Sequence, residues 1–254
     1  MSKKEEIYDD IGVFLYFSEM ASFLPEKIKE ELPGSIFIED KGTDTQLIMV
    51  PLGYPKESLV IAFRGTEAKI RDWLTDFDGF HTIYPYGNTN SNIQVHKGFV
   101  KAYHSIRTSI LKYIKDNREE CKAIFVCGHS LGGALATLCA VDIQYNYPDI
   151  KVKCFPSGNP RVGNKDFAVS YDKRVPDTFR TQLRTDIVPL FPPRWIQKLT
   201  KGGYVHTGQK ISIGPFDWLI GLKTLIKLKF KSDRLSADLT NHAIKLYKYY
   251  IAEA

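Results

Sequence analysis

A serine stands between two glycines near the middle of the chain, in Gly128-His129-Ser130-Leu131-Gly132. The apolar run 124–127 precedes it, and a small-residue pattern typical of a helix follows it. Glycines permit a tight strand-to-helix turn there, because they have no Cβ to clash. A G-x-S-x-G turn of this kind presents a serine hydroxyl above the end of a sheet. The alternative is that Ser130 merely caps the helix, but the strand-then-helix context favours a nucleophile.

A serine hydroxyl needs a base to take its proton and an acid to orient that base. In enzymes that use a G-x-S-x-G turn of this kind, the order along the chain is serine, acid, histidine. Asp186 fits the acid, because it follows the strand-like residues 179–184 and precedes Pro189. Its competing interpretation is an Asx-type turn residue. Asp177 lies before the same strand, at the end away from the site.

Two histidines follow Asp186 in the chain. His242 is favoured as the base, because it begins the last predicted helix and a loop–helix junction can approach the strand ends. His206 lies in an alternating, strand-like stretch and is predicted to be structural. His129 is expected to point away from the neighbouring serine. The remaining histidines precede the serine, against the usual order: His81, His96 and His104.

The surrounding pattern predicts an α/β protein. A helix over 6–24 is followed by strands over 35–40, 45–52 and 58–65. Strand and helix then alternate: helices over 98–117 and 131–146, strands over 122–127, 151–157, 179–184 and 203–213, and closing helices near 216–230 and 237–251. Early antiparallel strands followed by this alternation predict a sheet flanked by helices. No repeat or linker interrupts the chain, so one domain over 1–254 is expected.

Composition narrows the function classes. The chain has 254 residues, 43% of them hydrophobic, which suits one large core. A net charge of +6 without a dense basic block argues against nucleic acid and leaves an anionic lipid surface as a partner. The N-terminus has no secretory pattern and no apolar run is long enough to span a membrane. The four cysteines lack metal-site spacing, so an intracellular, reduced protein is expected.

The serine turn is one of eight motifs that follow one another along the chain. In chain order they are LVIAFRGT (59–66), DWLTDF (72–77), VHKGFVKAY (95–103), GHSLGGALA (128–136), GNPRVGN (158–164), RTDIVPLFP (184–192), YVHTG (204–208) and NHAIKLY (241–247). Together they resemble the class 3 lipase family of α/β-hydrolases, whose best-known members are secreted fungal triacylglycerol lipases. The resemblance covers 59–247 and implies the α/β-hydrolase fold: a mostly parallel sheet with antiparallel N-terminal strands.

The resemblance also implies a role for each matching residue. Ser130 is the nucleophile, Asp186 the acid and His242 the base, in agreement with the choice from spacing. The oxyanion hole is formed by the backbone N–H of Leu131, together with the N–H and hydroxyl of Thr66. The implied reaction is carboxylic-ester hydrolysis through an acyl-enzyme, on acylglycerols or related lipids, without a metal or organic cofactor. Alternatives are a phospholipase, a feruloyl-type esterase, or a non-catalytic lipid- or partner-binding scaffold.

A lid is expected between the FRGT and VHKGF motifs. Four apolar residues there have the i, i+3, i+4, i+7 spacing of a short amphipathic helix: Ile70, Trp73, Leu74 and Phe77. In the family this position holds the lid that covers the serine. The alternative is a fixed surface helix packed on the core.

A second apolar stretch, 216–231, predicts a helix with two unlike faces. Trp218 and Leu222 fall on its apolar side, and Lys223 and Lys227 on a basic stripe. Such a helix suits peripheral contact with an anionic membrane. The alternative is a helix packed on the sheet with solvated lysines. The oligomeric state has no signature in the sequence.

Overall fold

The computed structural model describes residues 3–53, 57–65, 80–81, 91–192, 203–214 and 236–252. The helices are α1 (Lys3–Met20), α2 (Pro25–Glu31), α3 (Lys97–Asp116), α4 (Leu131–Asn146), α5 (Lys165–Arg174) and α6 (Ser236–Ala252). The strands are β1 (Ile36–Asp40), β2 (Thr45–Leu52), β3 (Ser58–Phe63), β4 (Phe80–His81), β5 (Val95–His96), β6 (Ala123–His129), β7 (Lys151–Ser157), β8 (Gly163–Asn164), β9 (Phe179–Leu183), β10 (Tyr204–Val205) and β11 (Gln209–Ile213).

One seven-stranded sheet organises these elements, in the order β1-β2-β3-β6-β7-β9-β11. The β1–β2 and β2–β3 pairs are antiparallel, and from β3 to β11 every pair is parallel. The sheet therefore confirms the predicted fold, a mostly parallel sheet with antiparallel N-terminal strands. Because the carboxyl ends of parallel strands share one edge, the residues after β3, β6, β7 and β9 are brought together there.

Helices cover both faces of this sheet. Apolar residues of α3, α4 and α5 form one core cluster with the strands, and those of α1, α2 and α6 form the other. Residues 131–143 of α4 are all buried, as expected of a helix that is apolar on every side. Lys248 of α6 also pairs with Glu19 of α1 at 2.7 Å, so the two ends of the described chain meet.

Most predicted elements are confirmed, with several corrections. β2, β7 and α4 have their predicted bounds, whereas α1 ends at Met20 rather than at 24. A separate helix, α2, starts at Pro25, since proline suits the first position of a helix. The stretch 203–213 divides into β10 and β11, with Gly208 between them at φ +71°. The short α5 was not predicted, because it buries only Phe167, Ala168 and Tyr171.

The remaining strands β4, β5, β8 and β10 form a second sheet of two-residue strands, too short for a periodic pattern to predict. All four cysteines are buried and form no disulfide. Within the described ranges, no helix has the length and apolar character that crossing a membrane requires.

Candidate active site

Ser130 joins β6 to α4 in a strained conformation. Its φ of 57° and ψ of −121° lie outside the regions that residues with a Cβ prefer, at a cost of about 1–3 kcal/mol. The Ser130 N–H donates to the Ser157 carbonyl at 2.8 Å, and the Ser130 carbonyl accepts from Gly133 N–H at 3.1 Å. These bonds on both sides hold the turn. A simple helix cap would not require such strain, so the nucleophile interpretation is favoured.

The glycines of the turn are required by close backbone packing. A Cβ on Gly128 would lie 2.3 Å from the carbonyl carbon of Gly132. A Cβ on Gly132 would lie 2.4 Å from the Phe63 carbonyl oxygen at the end of β3. Real Cβ atoms do not approach backbone this closely, so the turn packs on itself and on β3 only with glycine at both positions.

The chain that leaves β3 lies against the serine. A Cβ on Gly65 would be 2.8 Å from the His129 carbonyl oxygen and 3.7 Å from the Ser130 Cβ. Leu131 begins α4, so its N–H is among those that a helix leaves without an internal acceptor, at the positive end of the dipole. Thr66, the other predicted oxyanion residue, lies outside the described residues.

The Ser130 hydroxyl is buried and forms no hydrogen bond with the described residues. Ser130 is 2% exposed, and its Oγ has no hydrogen-bond partner among the residues that the structure describes. Leaving a buried polar group unsatisfied costs about 1–3 kcal/mol. A hydroxyl kept in this state is available to a base or a substrate.

Asp186 lies just beyond β9, at the predicted edge of the sheet. Its Oδ1 accepts the Val188 N–H at 2.9 Å, and its Oδ2 accepts the Tyr247 hydroxyl at 2.8 Å. Burial raises the pKa of Asp186 to about 6, although both hydrogen bonds act to lower it. The Val188 bond is the local turn contact of the Asx alternative, and the bond from distant Tyr247 goes beyond it.

Gly158, the first residue after β7, makes room for three side chains. Its φ is +56°, and a Cβ there would lie 2.8 Å from His129 Cε1, 2.9 Å from Asp186 Oδ2 and 3.2 Å from the Tyr247 hydroxyl. His129 contacts the Ser157 hydroxyl at 3.1 Å and packs edge-on against Tyr247. Burial lowers the pKa of His129 to about 4. The ring is therefore neutral in this small pocket, as a structural role predicts.

Arg161 and His206 hold the backbone of the segment after Asp186. The Arg161 Nη1 donates to the Leu190 and Pro192 carbonyls, and the Arg161 N–H donates to the Phe191 carbonyl at 2.8 Å. His206 Nε2 donates to the Pro189 carbonyl at 2.7 Å. Burial, with help from nearby positive charges, lowers the pKa of His206 to about 3. His206 thus holds backbone rather than the carboxylate of Asp186.

The other predicted residues fall into two groups. Position 242 lies within α6, which begins at Ser236, so the prediction that His242 begins the helix was wrong; its side chain lies outside the described residues. The expected lid residues, Ile70, Trp73, Leu74 and Phe77, and the membrane-contact residues, Trp218, Leu222, Lys223 and Lys227, also lie outside them. His96 caps α3 by accepting the Gly98 N–H at 3.2 Å.

Three contributors to the site were not singled out from the sequence: Gly158, Arg161 and Tyr247. Gly158 and Arg161 belong to the GNPRVGN motif, and a glycine directly after a strand could have marked a close approach. Tyr247 ends the NHAIKLY motif, but only the tertiary packing of α6 brings its hydroxyl to Asp186.

Comparison with known proteins places this geometry in a family. The model of the family "Lipase (class 3)" matches residues 60–195, more than half of the chain. A lipase of Rhizomucor miehei is 31% identical over 167 residues, which cover 64% of this chain and 43% of that protein. Phospholipase A1-IIgamma of Arabidopsis thaliana is 31% identical over 168 residues, covering 54% of this chain and 39% of that protein. The chain belongs to the class 3 lipase family.

A solved structure supports the same assignment. A triacylglycerol lipase, described as having a serine-protease triad at its catalytic centre, superposes with a TM-score of 0.65 and 25% identity. The match covers 84% of this chain and 82% of that one. The α/β-hydrolase fold is thereby confirmed. The two curated relatives are longer proteins, and the chain spans about two fifths of their length.

Proposed function

We propose that this chain is a carboxylic-ester hydrolase of the lipase type that works through an acyl-enzyme. The observation that carries the proposal is Ser130, strained at the end of a parallel strand, with a buried hydroxyl that has no hydrogen-bond partner among the described residues. Residues held in sparsely populated backbone conformations cluster at functional sites. The solved triacylglycerol lipase with its serine-protease triad gives independent support.

In the proposed reaction, Ser130 Oγ attacks the ester carbonyl carbon while His242 accepts the hydroxyl proton. The tetrahedral intermediate collapses, the C–O bond to the alcohol breaks, and His242 returns the proton to the leaving oxygen. Water then attacks the acyl-serine by the same route and releases the acid. The backbone N–H of Leu131 and the N–H and hydroxyl of Thr66 would stabilise the oxyanion. The role proposed for Thr66 is supported by its neighbour Gly65, where an added Cβ would lie only 2.8 Å from the His129 carbonyl oxygen.

Asp186 would orient His242 and stabilise its protonated form, for which it must be ionised. Burial opposes ionisation, and the donors Val188 and Tyr247 favour it. Because the pKa is about 6, the carboxylate predominates above that pH. The acid therefore depends on its donors, and this dependence can be tested.

The proposed substrates are acylglycerols, because the solved structure that this chain resembles is that of a triacylglycerol lipase. A phospholipase activity is the second candidate, favoured by the similarity to the Arabidopsis phospholipase A1. A non-catalytic scaffold is disfavoured, because such a protein would have no reason to retain the strained serine turn. The lid residues around Trp73 and the membrane contact around Trp218 remain predictions.

We further infer one hydrolase domain in an intracellular setting. The contact between α1 and α6 supports the single domain, because elements from opposite ends of the chain complete one core cluster. The four unpaired thiols suit a reducing compartment. Cell fractionation tests the location, and recovery of the protein only from the medium would contradict it.

The proposed function is tested by hydrolysis of p-nitrophenyl esters of increasing chain length, with wild type beside Ser130→Ala. Turnover should depend on the serine and increase with chain length. Phosphatidylcholine and diacylglycerol, offered separately as emulsions, then discriminate the phospholipase from the acylglycerol lipase. Equal turnover by both proteins would refute the assignment of Ser130.

A further inference from the structure

Arg180 of β9 is a buried charge without a described counter-ion. Arg180 is 5% exposed, and the described residues give it one hydrogen bond, from Nη1 to the Gln182 side-chain oxygen at 3.2 Å. Its Nε has no partner among them. A guanidinium is permanently charged and carries five N–H donors, so burying it without a carboxylate is costly. By contrast, the buried charge of Asp142 is paired: its carboxylate accepts from Arg107 at 3.0 Å and from Tyr103 at 2.7 Å.

The neighbours of Arg180 are cations. Lys210 of β11 is its partner in the parallel register, so both side chains leave the same face of the sheet. Burial is the main cause that lowers the pKa of Arg180 to about 10; Tyr247 acts to raise it, and the Arg161 charge lowers it further. Partial desolvation by its neighbours lowers the pKa of Lys210, and the Arg180 and Arg184 charges add to that effect. No described carboxylate bonds Arg180 or Lys210.

His206 lies close enough to Arg180 and Lys210 for their charges to affect its pKa, and it also has an atom without a partner among the described residues. Its Nε2 donates to the Pro189 carbonyl, so in the neutral ring Nδ1 is an acceptor, and it has no partner among the described residues. The charges of Arg180, Arg161 and Lys210 all help to keep the ring neutral. An anion would offset these charges, favour protonation and turn Nδ1 into a donor.

We propose that Arg180, Lys210 and His206 form a binding site for a phosphate group. The planar fork of arginine and the point charge of lysine are the usual partners of phosphate oxygens. Lys210 is exposed on β11, the outer strand of the seven-stranded sheet, and gives the ligand its entry. Phosphate is favoured over carboxylate, because it brings up to two negative charges to a cluster of several positive ones.

The site is distinct from the serine turn and does not depend on the proposed hydrolase activity. Arg180 lies in the first half of β9, whereas Asp186 follows the carboxyl end of that strand. His206 connects the proposed phosphate site to the segment after Asp186, because its Nε2 donates to the Pro189 carbonyl. A bound phosphate should therefore stabilise the fold, which can be measured without turnover.

The test is thermal unfolding of the full chain in increasing inorganic phosphate at constant ionic strength. The key variant is Lys210→Glu, which places a carboxylate beside Arg180. Its matched control is Lys151→Glu, the same charge change at an exposed lysine that begins β7. Lys210→Gln, which removes the charge without adding an opposite one, checks the result if the glutamate variant folds poorly.

The wild type and Lys151→Glu should show a saturable Tm rise of roughly 5–10 °C at a hundredfold excess over Kd. Lys210→Glu should have a higher Tm without phosphate and no response to it, and Lys210→Gln a weakened response. A wild type without a Tm rise, or a full rise in both Lys210 variants, would overturn the proposal.

Vesicle sedimentation then distinguishes the two sources of phosphate. Phosphatidic acid vesicles, compared with pure phosphatidylcholine vesicles, should bind the wild type and Lys151→Glu but not Lys210→Glu if a lipid headgroup is the ligand. A Tm response to inorganic phosphate without Lys210-dependent vesicle binding would identify a free phosphate instead. Both results support the site, because the Tm response decides whether it exists.

Discussion

The hydrogen bond from Tyr247 to Asp186 gives the most specific prediction of the active-site account. Tyr247 is fully buried, and its hydroxyl reaches Asp186 Oδ2 at 2.8 Å. Tyr247→Phe removes this donor and leaves the ring, so the packing against His129 is retained. The carboxylate then keeps only the Val188 N–H among its described donors. Ionising Asp186 should consequently become harder.

The size of the pKa rise expected for Asp186 follows from the strength of the lost hydrogen bond. A hydrogen bond to a charged group contributes about 1.5–3 kcal/mol, and 1.36 kcal/mol corresponds to one pH unit. The pKa of Asp186, already raised to about 6 by burial, should rise further. Because the ionised form is active, the acidic limb of kcat/KM should move to higher pH, by about 1–2 units. Above that limb the variant should retain most of its activity.

The assay is a pH profile of kcat/KM on a p-nitrophenyl ester, for wild type, Tyr247→Phe and the control Tyr249→Phe. Tyr249 lies on the same helix but is 57% exposed, so its profile should match the wild type. The acidic limb of the profile reports the coupled titration of Asp186 and the base. The quantity compared is the change in the pH of this limb between each variant and the wild type. A uniform loss of activity at every pH, with an unmoved limb, would refute the reasoning and leave Tyr247 a purely structural residue.

Three further predictions concern the surrounding residues. Gly158→Ala forces a Cβ into the pocket of His129 and Asp186 at positive φ. It should cost about 2 kcal/mol or more, a Tm fall of roughly 4–8 °C, together with lost activity; a wild-type Tm in calorimetry would contradict the packing. Arg161→Lys keeps the charge but loses the fork that grips Leu190 and Pro192, so kcat should fall more than KM rises; unchanged kinetics would show that the clamp is dispensable. Trp218→Ser with Leu222→Ser should reduce sedimentation with anionic vesicles, and undiminished binding by the folded variant would exclude the membrane contact.

Sequence patterns predicted the fold wherever a segment's own chemistry decided its structure. The apolar runs of β2 and β7 and the small apolar residues of α4 gave their bounds directly. The position of Asp186 was predicted because a residue that follows a parallel strand lies at the edge of the sheet where the carboxyl ends of the strands meet. The tight turn at Ser130 was also predicted from local sequence, because glycines flank the serine between a strand pattern and a helix pattern.

What the sequence could not predict depends on contacts between distant segments. The two-residue strands of the second sheet exist only through their pairing, and α5 is too polar to stand out. The partner of Asp186 was expected to be a histidine alone, but α6 also brings Tyr247 to the carboxylate. The packing of three side chains around Gly158 has no local sequence pattern. The same holds for the cationic pair Arg180 and Lys210, because β9 and β11 are paired only in the folded sheet.

The most direct test of the central claim is covalent labelling with a fluorophosphonate, which reacts with activated serines, followed by peptide mass mapping. One adduct, located on Ser130, is expected in the wild type and none in Ser130→Ala. Asp186→Asn should label far more slowly, because the base loses its orienting charge. An unlabelled Ser130, or a label on another serine that accounts for ester turnover, would contradict the account.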